Sequence, residues 1–150
     1  MKATGKAQII RALIEQTQSD FVSFYAGTAK AERANELMSW ALAADRRLLS
    51  CVNDVEAMLP NTEGDDGSGA TSYALNAGVM MLCLIDAMSG QADSSYDEAV
   101  TAFFDTVDFR ACRALEAELN RLPTEEEIAS HPFSQQACAW FAEIAHQIND

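Results

Sequence analysis

The sequence predicts an all-α fold: one helical bundle of five to seven helices spanning residues 1–150. Three observations predict it. Apolar residues recur at helical spacing along the whole chain. No alternating apolar and polar run is bounded by hairpin turn signals, and Asp66-Gly67 lacks strand-like flanks. Residues 70–88 form one segment apolar on nearly every side, the composition of a central helix. The 150 residues suffice for one sizeable core, and 49% apolar residues with only seven Gly and three Pro is a globular composition.

A first helix is expected over residues 7–18, with Ile9, Ile10, Leu13 and Ile14 on one side. Ser19 and Asp20 interrupt it, Asp20 serving as N-cap of a short turn that carries Phe21 and Phe24. A long second helix is expected over residues 31–59. Its positions 37, 41, 44, 48, 51, 55 and 58 are Leu, Ala, Ala, Leu, Cys, Val and Met, a 4-3-4-3 apolar seam. Pro60 stops it. The third helix, near residues 70–88, has Ser68 or Thr71 as candidate N-cap and Gly90 just beyond its end.

The fourth helix opens on Ser95-Tyr-Asp-Glu98, which reads as a capping box. Tyr96, Val100, Phe103, Phe104 and Val107 form its first stripe, and Ala111, Leu115, Leu119 and Leu122 continue it with a phase drift near Asp108. A second capping box, Thr124-Glu-Glu-Glu127, starts a short helix that ends before His131-Pro132. Pro132 suits the first turn of the last helix, whose apolar face is Ala137, Trp140, Phe141, Ile144 and Ile148. No internal repeat and no linker divides the chain.

The formal net charge is −13, and it is unevenly distributed. Residues 1–47 carry seven Lys/Arg against five Asp/Glu, whereas residues 48–150 carry three against eighteen. No Lys or Arg occurs between residues 48 and 109. Such a surface repels phosphate, which disfavours nucleic acid and anionic membranes and favours a basic protein partner. The longest uninterrupted apolar or Gly run, residues 77–85, is shorter than a membrane span. The opening MKATGKAQII has no signal-peptide pattern, so a cytoplasmic location is expected. Cysteines 51, 83, 112 and 138 contain no CxxC pair and read as reduced thiols acting as small core residues.

The acidic, glycine-rich loop NTEGDDGSGATS, residues 61–72, invites a calcium reading. Every EF-hand register fails. From Asn61 the sixth and twelfth positions are Asp66 and Ser72; from Thr62 the third and twelfth are Gly64 and Tyr73; from Asp65 glycine fills positions three and five. The loop also lacks the lysine of a phosphate-binding loop. Glu143 and His146 supply one Glu-x-x-His, half of the carboxylate-bundle metal motif, while Glu127 and His131 are spaced by four. No Gly-x-Ser-x-Gly elbow is present, and both histidines lie near the C-terminus. Asp45 and Asn76 are polar residues on apolar helices, the kind that fix helix register or line a pocket.

A further set of residues is spread over positions 8–148. Leu13-Ile-Glu15 with Asp20-Phe21 and Phe24 opens it. Arg33 to Leu37 with Trp40 follows, then Leu59-Pro60, the acidic loop and Tyr73 before the Ala-rich helix. Glu125-Glu-Glu, His131-Pro132 and Trp140 close it. In order and spacing this set resembles the YjaG-like family, small helical bacterial proteins grouped as a domain of unknown function. The resemblance implies an all-helical fold and no particular reaction.

The expected function is that of a small acidic interaction or regulatory protein, inhibitor- or immunity-like, binding a basic protein partner. Glu63, Asp65 and Asp66 are the candidate partner contacts; no catalytic residue, metal ligand or cofactor is predicted. The competing expectation is a small-molecule- or metal-binding bundle with enzymatic activity, using Asp45, Asn76, Asp86 or the Glu143/His146 pair. A third is a homodimer formed through an exposed helix face.

Overall fold

The computed structural model describes residues 1–64 and 68–149. Seven α-helices and no strand occur among the described residues: α1 (Ala3–Tyr25), α2 (Ala31–Leu42), α3 (Val52–Ala57), α4 (Ala70–Met88), α5 (Ala92–Leu119), α6 (Glu125–Ser130) and α7 (Pro132–Asn149). The all-α bundle is as expected, and α4 is its centre, packed against α1, α5 and α3. Its residues 74, 77, 80, 81, 83, 84 and 85 are buried, together with Ile9, Ile10, Leu13, Ile14 and Phe21 of α1. A large apolar side chain taken wholly out of water contributes about 1.5–3 kcal/mol. Helix α4 has 19 residues and a mean hydropathy of 1.3 in its most apolar window, long and apolar enough to cross a membrane by those two measures; half of that window is buried by neighbouring helices.

Helix α1 is longer than the expected 7–18. The buried stripe Ile10, Ile14, Thr17, Phe21 and Tyr25 keeps helical spacing straight through Ser19 and Asp20. Asp20 caps nothing; its carboxylate accepts a hydrogen bond from Arg110 on α5, ninety residues away. Tyr25 closes the helix by donating its hydroxyl to the backbone carbonyl of Met58.

The expected continuous helix over 31–59 is instead broken into α2, a 3-10 turn at Arg46–Ser50, and α3. Ala44 adopts φ 48°. The Ala44 N–H then donates to the Ala41 carbonyl at 3.1 Å and the Asp45 N–H to the Trp40 carbonyl at 2.8 Å. These two bonds make the Schellman closure that glycine ordinarily provides. Asp45 is extended, and its carboxylate caps the 3-10 turn by accepting from the Arg47 N–H at 2.9 Å. Leu37, Ala41, Leu48, Cys51, Val55 and Met58 of the seam are nonetheless buried, while Ala44 is exposed. The seam therefore marked which residues face the core and not the path of the chain.

The Ser95 capping box is also absent. Helix α5 starts four residues earlier, with Gln91 and not Ser95 at its N-cap, and the buried Ser95 hydroxyl donates to the Gln91 carbonyl at 2.8 Å. That frees Glu98 to lie on the surface. The Thr124 box does form: Thr124 Oγ1 accepts from the Glu127 N–H at 3.2 Å, and Glu127 Oε1 accepts from the Thr124 N–H at 3.0 Å. Pro132 begins α7, as its missing N–H favours. Ser68 Oγ accepts from the Ala70 N–H at 3.2 Å ahead of α4. Of the four cysteines, all free, Cys51 and Cys83 are core residues, but Cys112 is half-buried and Cys138 is exposed, because 138 lies on the outer side of α7.

Candidate functional site

The cations of the first 47 residues are largely spent on nearby acids. Lys6 pairs with Asp93, Arg33 with Glu36 and Asp54, and Arg47 with Asp45 at 2.7 Å. The Arg47 side chain, then its backbone N–H, holds the Asp45 carboxyl down at about 2. Three of the acids outside these pairs come together where α3, α4 and α5 meet. A groove there has a volume of ≈ 320 Å³. Val52, Leu59, Val79 and Leu82 line it with apolar surface, and Glu56, Asp86 and Glu98 bring one carboxylate from each of the three helices. None of these three carboxylates is in an ion pair among the described residues.

The groove follows from local sequence. Leu59 sits just past the end of α3, where its side chain reaches Gly78 of α4; a Cβ added to Gly78 would stand 2.5 Å from Leu59 Cδ2. Glycine at 78 thus lets the end of α3 approach α4. Asp86 is one of the few polar residues of α4, and its turn is the one next to the start of α5. Cys83, itself buried, also lines the groove. Burial, then the charges of Glu98 and Asp86, push its thiol up to about 12. It is a neutral core group at neutral pH and a poor nucleophile.

The residues singled out from sequence are placed as follows. Glu63 is exposed, with its N–H donating to the Asn61 side chain at 2.9 Å. Asp65 and Asp66 lie outside the described residues. Asp45 is held by Arg47, and Asn76 donates to Thr106 Oγ1 at 3.0 Å, tying α4 to α5. Glu143 is exposed and accepts from the Gln147 side chain at 3.2 Å. Among the described residues no three His, Cys, Asp or Glu side chains are grouped so as to hold a metal ion. Asp86 alone of the earlier candidates enters the groove; Glu56 and Glu98 were missed. The signal that pointed toward them was the absence of Lys and Arg between residues 48 and 109, which contains all three.

The fold and groove define a class, an all-α bundle with an acid-rimmed apolar groove. Comparison with protein-family models, curated proteins and solved structures gives no match for the chain. The YjaG-like resemblance accordingly rests on the order and spacing of the residues quoted for it.

Proposed function

We propose that the protein is an interaction module that binds a cationic amphipathic segment of a partner protein in the α3/α4/α5 groove. The observation that carries this reading is the groove's composition: apolar side chains at its base and three carboxylates, from three helices, with no cation of their own. Apolar side chains of the segment would cover Val52, Leu59, Val79 and Leu82, while its Lys or Arg side chains meet Glu56, Asp86 and Glu98. The surrounding negative charge steers such a segment and raises its association rate, as in inhibitor and immunity proteins that neutralise basic partners. Glu63, Asp65 and Asp66 join α3 to α4 in the chain and add to the same field.

The test is a pull-down from native lysate with mass spectrometry, at low and high salt, using wild type and two triple variants. Glu56→Gln with Asp86→Asn and Glu98→Gln should lose the salt-sensitive partner. Glu63→Gln with Asp65→Asn and Asp66→Asn should retain it with slower association. Exposed charge pairs contribute roughly 0.2–1 kcal/mol each, so the groove variant is expected to weaken binding by about tenfold. A partner held equally by wild type and the groove variant, or held equally at low and high salt, refutes the reading.

A further inference from the structure

A second cavity, of ≈ 330 Å³, lies between α1, α5 and α7 and has no part in the groove. Its size is within the range of small-molecule sites, and its walls divide between apolar side chains (Phe103, Val107, Phe133, Ala137, Trp140) and polar ones. Phe103, Phe133 and Trp140 supply three aromatic rings, and Arg110 supplies its one charge. Gln16 and Gln136, both exposed, stand at its edge.

Arg110 is built into place from the far side. Its Nη2 donates to Asp20 Oδ1, and its guanidinium carbon lies 4.2 Å from the centroid of the Tyr73 ring. The Asp20 side chain is only 9% exposed, whereas that of Arg110 is 38% exposed. A guanidinium has five N–H donors. The Asp20 bond uses one, and no other protein acceptor engages Arg110 among the described residues. An ion pair and a ring thus hold the guanidinium still while most of its donors stay unused, and Arg110 lines a cavity that it shares with three aromatic rings and with Thr17 and Thr106. Such preorganisation lowers the entropy lost on binding a complementary anion.

The charge balance narrows the ligand. One arginine, whose charge is already balanced by Asp20 in a chain of net charge −13, does not hold a phosphate dianion; its remaining N–H donors suit at most a monoanion. The fork of N–H groups matches a carboxylate. The three rings suit an aromatic body, packed edge-on or offset. We propose that the α1/α5/α7 cleft binds a small aromatic monocarboxylate, its carboxylate on the free N–H groups of Arg110 and its ring beside Phe133 and Trp140. This site is independent of the groove and does not rest on the partner reading.

The probe is 3-phenylpropionate, compared with its neutral amide, 3-phenylpropionamide, and with inorganic phosphate. Titrations are followed by calorimetry and by amide NMR spectra of the full chain. The acid should bind, shifting the Phe133 and Ala137 amides and the Trp140 indole N–H but not the amides of Asp86 and Glu98. A charge-assisted bond lost in the amide predicts binding weaker by about tenfold or more, and phosphate should bind no better than the amide. Ala137→Phe puts a ring into the cleft while keeping both residues of the Asp20–Arg110 pair and should weaken acid binding by at least about tenfold. The groove variant Glu56→Gln, Asp86→Asn, Glu98→Gln should bind the acid as wild type does, which separates the two readings. Absence of binding at about 10 mM, equal binding of acid and amide, or preferred binding of phosphate overturns the proposal. So does unchanged binding by a folded Ala137→Phe protein; if that variant does not fold, the acid, amide and phosphate comparison on wild type decides.

Discussion

Replacing Ala44 by glycine should stabilise the protein, and the sign of the effect tests the break between α2 and α3. Ala44 has φ 48°, in the left-handed region, and its side chain is exposed, so shortening it loses no packing. The left-handed conformation costs an L-residue roughly 1–2 kcal/mol. Glycine avoids that cost but loses about 0.5–1 kcal/mol more than alanine in backbone entropy on folding. The difference leaves a gain of about 0.5–1 kcal/mol. In an uninterrupted helix over residues 31–59 the same substitution would be destabilising by about 1 kcal/mol. Urea titrations followed by circular dichroism at 222 nm, with the slope against urea unchanged, measure the difference directly. Ser39→Gly, on the exposed side of α2, is the control and should be destabilising by about 0.5 kcal/mol. An Ala44→Gly protein that is no more stable than wild type would show that the Schellman closure at residues 40–45 is not the structure in solution.

Four further outcomes are expected. Arg110→Met strands the carboxylate of Asp20, which is 9% exposed, and should be destabilising by about 1–3 kcal/mol, whereas Asp20→Ala leaves a guanidinium that reaches water and should be milder; equal losses in urea titrations would contradict the unequal burial of the two partners. Hydrogen bonds from Arg121 and then the Thr124 backbone hold Glu127 down at about 2 from an ordinary 4.5. Its folded value is the lower one, so its contribution is present above about 4.5 and is lost as pH falls toward about 2; Glu127→Gln should flatten acid unfolding in that window, measured by circular dichroism. A maleimide followed by mass spectrometry should label exposed Cys138 first and half-buried Cys112 next, with Cys51 and Cys83 labelled only on unfolding; early labelling of Cys83 would contradict its place in the core. Gly69→Ala forces a side chain onto φ 85° with its Cβ 2.7 Å from Phe109 and 2.9 Å from Tyr73, and should lower stability by about 1–3 kcal/mol in the same titrations.

What sequence conveyed about this molecule depended on how local each signal was. The bounds of α4 were legible because composition changes sharply at both ends and Gly90 takes a positive φ just beyond it. The Thr124 box was legible because both of its partners lie three residues apart. The break after α2 was not, since an alanine occupies the position where a glycine would have announced it. Ser95 misled for the opposite reason: the pattern was there, but α5 had already begun at Ala92. The same rule governs the site. Glu63, Asp65 and Asp66 were conspicuous because they are neighbours in the chain, whereas Glu56, Asp86 and Glu98 become neighbours only after three helices pack. Charge distribution conveyed the sign of the surface and could not place it. Arg110 stood out in no motif, because its anchor Asp20 and the rings of Tyr73, Phe133 and Trp140 are remote in sequence.

Helix α7 has one buried residue, Ser134, against nine in α4, while its Trp140 and Phe141 are only half covered. Peeling α7 away therefore exposes far less new apolar surface than unfolding the bundle, so its amides should exchange with solvent through a local opening of lower free energy. The same helix is one wall of the Arg110 cleft. Any molecule that binds the cleft only when it is closed must, by mass action, slow that opening in proportion to its saturation. The most weakly held long helix of the bundle is thus a built-in gauge, whose exchange rate reads out how often the cleft is filled.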